Sequence, residues 1–261
     1  ETKGDGSKPF FAYLAFTAPH WPLHAPDADI AKYENRYDAG YDALRGERLE
    51  RMKKLGLVPA ATTAYRGHPH WPTWDTLPAD HKRSEARRMA VYAAMVDHMD
   101  RQIGRVLKHL ESSGELDNTV VVFISDNGAD GNSVYDVART REWIHKDMDN
   151  STANLGRPGS FIEYGPGWAQ VGSTPLNLYK SFMYEGGISV PAIFWSPKQG
   201  IAAQQRTQVG HVMDIAPTIY EMAGARHPGA SHQGRAILPV KGKSLVAYLQ
   251  GLGLHAPRGQ A

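Results

Sequence analysis

The chain has 261 residues, long enough to bury a sizeable core as one large domain or two small ones. Its 29 basic residues nearly balance 27 acidic ones, so a formal net charge of +2 gives no electrostatic ground for nucleic-acid or membrane-surface binding. The absence of cysteine excludes disulfides and cysteine-ligated zinc and leaves the compartment open, and no apolar run approaches the roughly 18 residues of a membrane span.

After a short polar lead, Pro9-Phe-Phe-Ala-Tyr-Leu-Ala-Phe16 reads as a central strand. It runs into Thr17-Ala-Pro-His-Trp-Pro-Leu-His24, a stiff loop of prolines and imidazoles. Apolar residues at 37, 41, 44, 49, 52 and 55 predict a helix from about Tyr37 to Leu55. The Trp- and Pro-rich stretch within 59–79 reads as irregular surface. A long helix follows, from about Ser84 to Leu110, with Met89, Tyr92, Met95, Val96, Met99, Ile103, Val106, Leu107 and Leu110 on one side. Gly114 stops it, and Thr119-Val-Val-Val-Phe-Ile-Ser125 reads as a buried parallel strand, one limb of a βαβ unit. Residues 128–177 are rich in Gly, Asn, Asp and Pro and predict a long loop that shapes a binding site or carries small elements. Val190–Trp195 predicts a further strand, and Met213, Ile215, Ile219, Tyr220 and Met222 a helix ending at Gly224. The order predicts a single α/β domain over 1–261 with no evident linker.

Polar chemistry gathers where these strands stop. Asp126 and Asn127 would project a carboxylate and an amide from the carboxyl edge of a sheet, two hard oxygen donors for Ca²⁺ or Mg²⁺. The plainer alternative is a turn, since Asn-Gly is a turn dipeptide. His20 suits a general acid, against a loop imidazole packed between prolines. Lys180 suits neutralisation of a sulfuryl or phosphoryl group, against a solvated surface lysine. Gly186 and Gly187, after Glu185, mark a turn or a close backbone approach. His68-Pro-His70 with His20 and His24 raises a zinc site, which lacks a carboxylate at fixed spacing. His211 and Asp214 fit a helix N-cap or a buried hydrogen bond.

Five segments carry a family resemblance. Phe10 to Pro26, Asp97-His-Met-Asp-Arg-Gln-Ile-Gly-Arg105, Ser125-Asp-Asn-Gly-Ala129, Tyr184-Glu-Gly-Gly-Ile-Ser-Val-Pro191 and His211-Val-Met-Asp-Ile-Ala-Pro-Thr218 resemble the sulfatases, close to the bacterial arylsulfatases. They fall in the family's order, and the likeness extends from about residue 9 to 246. It implies an alkaline-phosphatase-like α/β/α sandwich with a mostly parallel mixed sheet, incomplete in this chain, and hydrolysis of sulfate monoesters. It also implies Asp126 and Asn127 as Ca²⁺ ligands, Asp126 also lying close to the nucleophile. His20 and Lys180 would contact the sulfate, with His20 giving the leaving alcohol its proton.

The family's nucleophile is a formylglycine made from a Cys/Ser-x-Pro-x-Arg motif. This chain has no cysteine, and its nearest serine version, Ser173-Thr-Pro-Leu-Asn177, lacks the arginine and follows Asp126. The resemblance therefore predicts that the formylglycine, further calcium carboxylates and another sulfate-binding Lys and His precede Pro9, and that a C-terminal subdomain is absent after about residue 250. Two donors fall short of the about 6–8 oxygens that Ca²⁺ takes. The expected partner is a small-molecule sulfate ester, with a companion chain or missing N-terminal half completing the site, and the chain alone is expected to be inactive. The rival readings are a phosphate or phosphonate ester hydrolase of the same superfamily, and a noncatalytic fragment that binds a ligand or partner chain.

Overall fold

The computed structural model describes residues 9–198 and 200–252. In chain order the helices are α1 (Asp27–Ile30), α2 (Gly40–Lys54), α3 (Ala79–Ser112), α4 (Ala138–Asp147), α5 (Gly165–Gly172), α6 (Glu185–Ile188), α7 (Ile215–Met222) and α8 (Val246–Leu249). The strands are β1 (Val121–Ile124), β2 (Ala192–Trp195), β3 (Ser231–His232) and β4 (Arg235–Ala236). They fall into two compact units. One comprises the chain up to Leu107 with Asp126–Val190, the other Lys108–Ser125 with the chain from Pro191 onward.

The first unit is built on α2, α3 and α5. The predicted amphipathic helix at 37–55 is α2, which buries Tyr41, Leu44 and Leu49. The long helix α3 forms as predicted, but its buried stripe is rotated from the apolar one. Ala86, Ala90 and Ala94 at four-residue spacing, with Val91 and Met95, face the core. Met89 and Tyr92 pack at its edge, and Val106 is exposed. Small residues let neighbouring backbone approach, which a row of large side chains would prevent.

Two sequence-based expectations fail in this unit, the surface reading of the 59–79 tryptophans and the strand over 9–16. The tryptophans of 59–79 are not surface residues: Trp74 is buried and Trp71 packs against the core. The 128–177 stretch carries the small elements α4 and α5 and also supplies Leu155, Ile162, Trp168, Ala169 and Val171 to the same core. Backbone without ladder partners does not register as a strand, and Pro9–Phe16 is the second correction. No residue of that segment lies in a strand, and Phe11 and Tyr13 are 72% and 82% exposed.

Glu163 is a buried acid beside this core. One carboxyl oxygen, Oε2, has no hydrogen-bond partner, and Arg88 Nη1 lies 3.9 Å from the other. Burial raises its pKa above 4.5, against the partial opposition of Arg88. The folded chain thus binds this proton more tightly than the unfolded one. The associated stability is full below about pH 4.5 and is lost as pH rises through the raised value. Glu163→Gln is expected to be the more stable form in urea unfolding at pH 7.5, with the gap closing at pH 4.5. Arg88 keeps its hydrogen bond to the Glu163 main-chain oxygen at 2.7 Å in either case.

In the second unit β1 pairs β2 antiparallel, with Val121 opposite Trp195 and Ile124 opposite Ala192. The sequence reading made this run a parallel strand buried on both faces. Instead Phe123 and Ile124 are 40% and 37% exposed, and among the described residues both strand pairs are antiparallel. A mixed sheet accommodates such a pair. The apolar run anticipates neighbours that the described residues do not provide. His211 and Asp214 act as their spacing predicts: His211 Nδ1 accepts from Met213 N at 3.1 Å and Asp214 Oδ2 from His211 N at 2.8 Å, a reciprocal cap leading into α7. Asp214 is fully buried and also accepts from Lys243 N at 2.8 Å.

Candidate active site

All the polar residues singled out at strand ends, His20, Asp126, Asn127, Lys180 and Glu185-Gly-Gly187, lie in the first unit. The loop carrying His20 is clamped from its far side. Leu23 N donates to Ile162 O at 2.9 Å, Ala25 N to Gly156 O at 3.2 Å, and His24 Nε2 bonds Ser160 O at 2.8 Å. Leu23 itself is fully buried. His20 turns outward from this anchor, its side chain 44% exposed. Its Nδ1 lies 2.7 Å from Trp21 O, and a carbonyl only accepts, so Nδ1 carries the hydrogen.

The structure brings Lys180 to the other ring nitrogen. Lys180 Nζ lies 3.2 Å from His20 Nε2, although 160 positions separate the residues. Two non-glycine residues with left-handed backbone, Leu178 at φ 61° and Ser181 at φ 78°, bracket this lysine. Such strain gathers where a side chain must be aimed. The aromatic ring of Tyr179 stacks on Trp71 with centroids 5.0 Å apart, fixing the preceding residue.

Asp130 joins the pair, and the sequence reading missed it. Its Oδ2 accepts from Lys180 Nζ at 3.0 Å and from Trp21 Nε1 at 3.2 Å, and lies 3.3 Å from His20 Nε2. Its Oδ1 accepts from Asn132 N at 3.1 Å and Asn132 Nδ2 at 2.7 Å. Burial works to raise its pKa, but the Lys180 ammonium and the Asn132 donors outweigh it and hold the carboxyl below the usual range. An acid four positions beyond Asp126 in a Gly-rich turn gave no signal that separated it from a solvated turn residue.

Asp126 is exposed and Asn127 half-buried. The Asn127 amide nitrogen donates to Gly128 O at 2.9 Å. Their segment is tied to the lysine segment by backbone: Lys180 N donates to Ala129 O at 2.9 Å and Gly128 N to Gly187 O at 2.9 Å. This junction is the close approach expected of the glycines. A Cβ on Gly128 would stand 1.8 Å from Gly186 O, and one on Gly186 would stand 2.0 Å from Leu178 O. The donor chemistry, one carboxylate and one amide oxygen, fits a hard cation. Among the described residues no three His, Asp or Glu side chains converge as a metal site. The His68 ring lies tilted against Trp71, with centroids 5.0 Å apart. Ser173 is buried with its hydroxyl directed to Gly186 O at 3.3 Å, which removes it as an accessible nucleophile.

The chain is similar to known proteins both in fold and in sequence. The structure is similar to that of the phosphonate monoester hydrolase of Agrobacterium radiobacter, with a TM-score of 0.53 at 19% identity, covering 98% of this chain and 41% of that one. It is similar also to Ps i-CgsB, solved with k-i-k-neocarrahexaose, with a TM-score of 0.50 at 23% identity, covering 93% and 34%. These establish an alkaline-phosphatase-like α/β fold. In sequence the chain is 46% identical over 248 residues to an uncharacterized sulfatase of Schizosaccharomyces pombe, covering 93% of this chain and 44% of that protein. It is 39% identical over 246 residues to the arylsulfatase of Klebsiella aerogenes, covering 92% and 51%. The chain thus spans about half the length of these curated relatives. The described residues include no helix long and apolar enough to cross a membrane. With the sulfatase model matching residues 2–225, nearly the whole of the chain and all of the His20–Asp130–Lys180 cluster, the chain belongs to the sulfatase family.

Proposed function

We propose that the protein hydrolyses sulfate monoesters, aryl sulfates among them, and that these residues form one wall of its active site. The meeting of His20 Nε2 and Lys180 Nζ at 3.2 Å is the observation that carries this reading. An ammonium and an imidazole so placed match the two demands of sulfate-ester cleavage. Lys180 neutralises charge on the sulfuryl oxygens as the S–O bond breaks. His20 passes its Nε2 proton to the departing ester oxygen, so that an alcohol and not an alkoxide leaves.

Asp126 and Asn127 would hold Ca²⁺ through a carboxylate and an amide oxygen, the remaining ligands coming from residues outside this set. When bound, Ca²⁺ would draw charge from the sulfate, and a formylglycine outside these residues would supply the attacking oxygen. Neither the cation nor the modified residue is needed to explain what His20 and Lys180 do at the leaving-group side.

In the full-length protein, 4-nitrophenyl sulfate is expected to turn over faster than bis(4-nitrophenyl) phosphate. The reverse preference would assign the site to phosphate diesters. Asp126→Ala is expected to weaken Ca²⁺ binding at least about 10-fold in a calorimetric titration. Unchanged affinity would remove Asp126 from the metal site. Residues 1–261 alone, with no cysteine and no Cys/Ser-x-Pro-x-Arg motif, should give no turnover of either ester.

A further inference from the structure

We infer that Asp130 is a positioning residue that holds the protonated form of His20, an inference that rests on His20 being the proton donor proposed above. The His20 ring is asymmetric in its demands. With Nδ1–H committed to Trp21 O at 2.7 Å, all changes of protonation fall on Nε2. That atom lies between two groups of opposite character: Lys180 Nζ at 3.2 Å only donates, and the ionised Asp130 Oδ2 at 3.3 Å only accepts. A neutral ring takes a hydrogen from Lys180. A protonated ring forms an ion pair with Asp130, whose Oδ2 stands 3.3 Å from Nε2. Each state of a proton donor in turnover thus has a partner already in place.

Without the carboxylate, a protonated ring would face an ammonium at 3.2 Å with no counter-charge. Asp130 is built to stay where it is. Its side chain is 11% exposed, and its two oxygens divide the work. Oδ1 is fixed by both donors of Asn132, leaving Oδ2 to Lys180, His20 and Trp21. Its backbone N–H donates to Tyr164 OH at 3.0 Å, and burial lifts that phenol's pKa well above 10.0, so it adds no charge. Among the described residues Lys180 and Asp130 are the charged groups in contact with the ring, and Lys180 is itself paired to Asp130 at 3.0 Å. On transfer, the Nε2–H bond breaks, the proton goes to the ester oxygen, and the neutral ring turns to the Lys180 hydrogen. Asp130 gains and loses nothing.

The test uses the full-length protein with His20→Gln, Asp130→Asn and Asp130→Glu. Rates are read on 4-nitrophenyl sulfate and on phenyl sulfate, whose leaving group needs a proton more. Asp130→Asn is expected to slow phenyl sulfate about 10-fold or more and 4-nitrophenyl sulfate less. Asp130→Glu should recover much of the rate on phenyl sulfate. An equal loss on both esters, or no loss on either, would overturn the inference and leave Asp130 a structural turn residue. Should His20→Gln slow both esters alike, the proton-donor role itself fails. These two failures are read from different variants and stay distinguishable.

Discussion

Replacing Lys180 with alanine is expected to lower kcat for an aryl sulfate about 10²–10³-fold in the full-length protein, with a smaller change in KM. The split follows from when the charge is needed. A sulfate monoester binds as an anion, and its bridging oxygen gains charge as the S–O bond breaks. An ammonium fixed beside that oxygen gains most in the transition state. Lys180 is fixed: its backbone N–H is held by Ala129 O at 2.9 Å, its Nζ by Asp130 at 3.0 Å, and its chain direction by left-handed residues at 178 and 181. Those two conformations cost about 1–3 kcal/mol each in a generic backbone, and a loop with nothing to aim has no reason to retain them. Lys180→Arg should recover little, because a planar guanidinium cannot occupy the point between Asp130 and His20 that a compact ammonium fills. A rise in KM with kcat intact would mean that Lys180 only gathers anions, and the role in bond cleavage would go.

How far the site was legible depended on the kind of signal. Lys180 was placed by the Tyr-Lys-x-x-x-x-Glu-Gly-Gly pattern of the resemblance. The 126–127 pair stood at the end of an apolar run and His20 in the loop just beyond one, and residues near the stop of a run mark themselves in one dimension. Asp130 did not, because its importance comes from Lys180 and His20, 50 and 110 positions away, and its flanking sequence is that of an ordinary turn. The fold divides in the same way. Helices α2 and α3 close their own hydrogen bonds, so their periodicity sufficed. The strand expected at 9–16 and the two-faced burial expected at 119–125 depend on neighbours, and a composition suited to burial does not supply them. The stripe of α3 was misjudged by reading apolar size where the structure selects small volume: Ala86, Ala90 and Ala94 face the core, while Val106 does not.

The residue whose loss should cost most stability lies in the stretch that sequence composition presented as loop. Trp168→Ala is expected to destabilise the fold by about 3–5 kcal/mol, seen as a fall in the urea midpoint at unchanged slope. Trp168 is 1% exposed, and its ring meets Tyr37, Tyr41 and Trp74 edge-on at centroid distances of 5.6, 5.7 and 5.9 Å. Its Nε1 donates to Glu85 O at 3.0 Å, joining α5 to α3. Removing the ring takes away burial, three aromatic contacts and that bond together, and leaves a cavity walled by rings that cannot easily collapse. Trp168→Phe keeps part of the packing and loses the donor, so it should fall between wild type and alanine. The effect should also reach the site. The next residue, Ala169, together with Tyr179, lies so close to Gly131 that a Cβ there would be 2.9 Å from the Ala169 methyl and 2.7 Å from the Tyr179 ring. A loosened α5 removes the floor beneath the Asp130 turn and the Lys180 segment at once. Below its melting range, Trp168→Ala should therefore lose kcat more than Trp168→Phe, and equal activity in the two would show that the core and the catalytic cluster are mechanically separate.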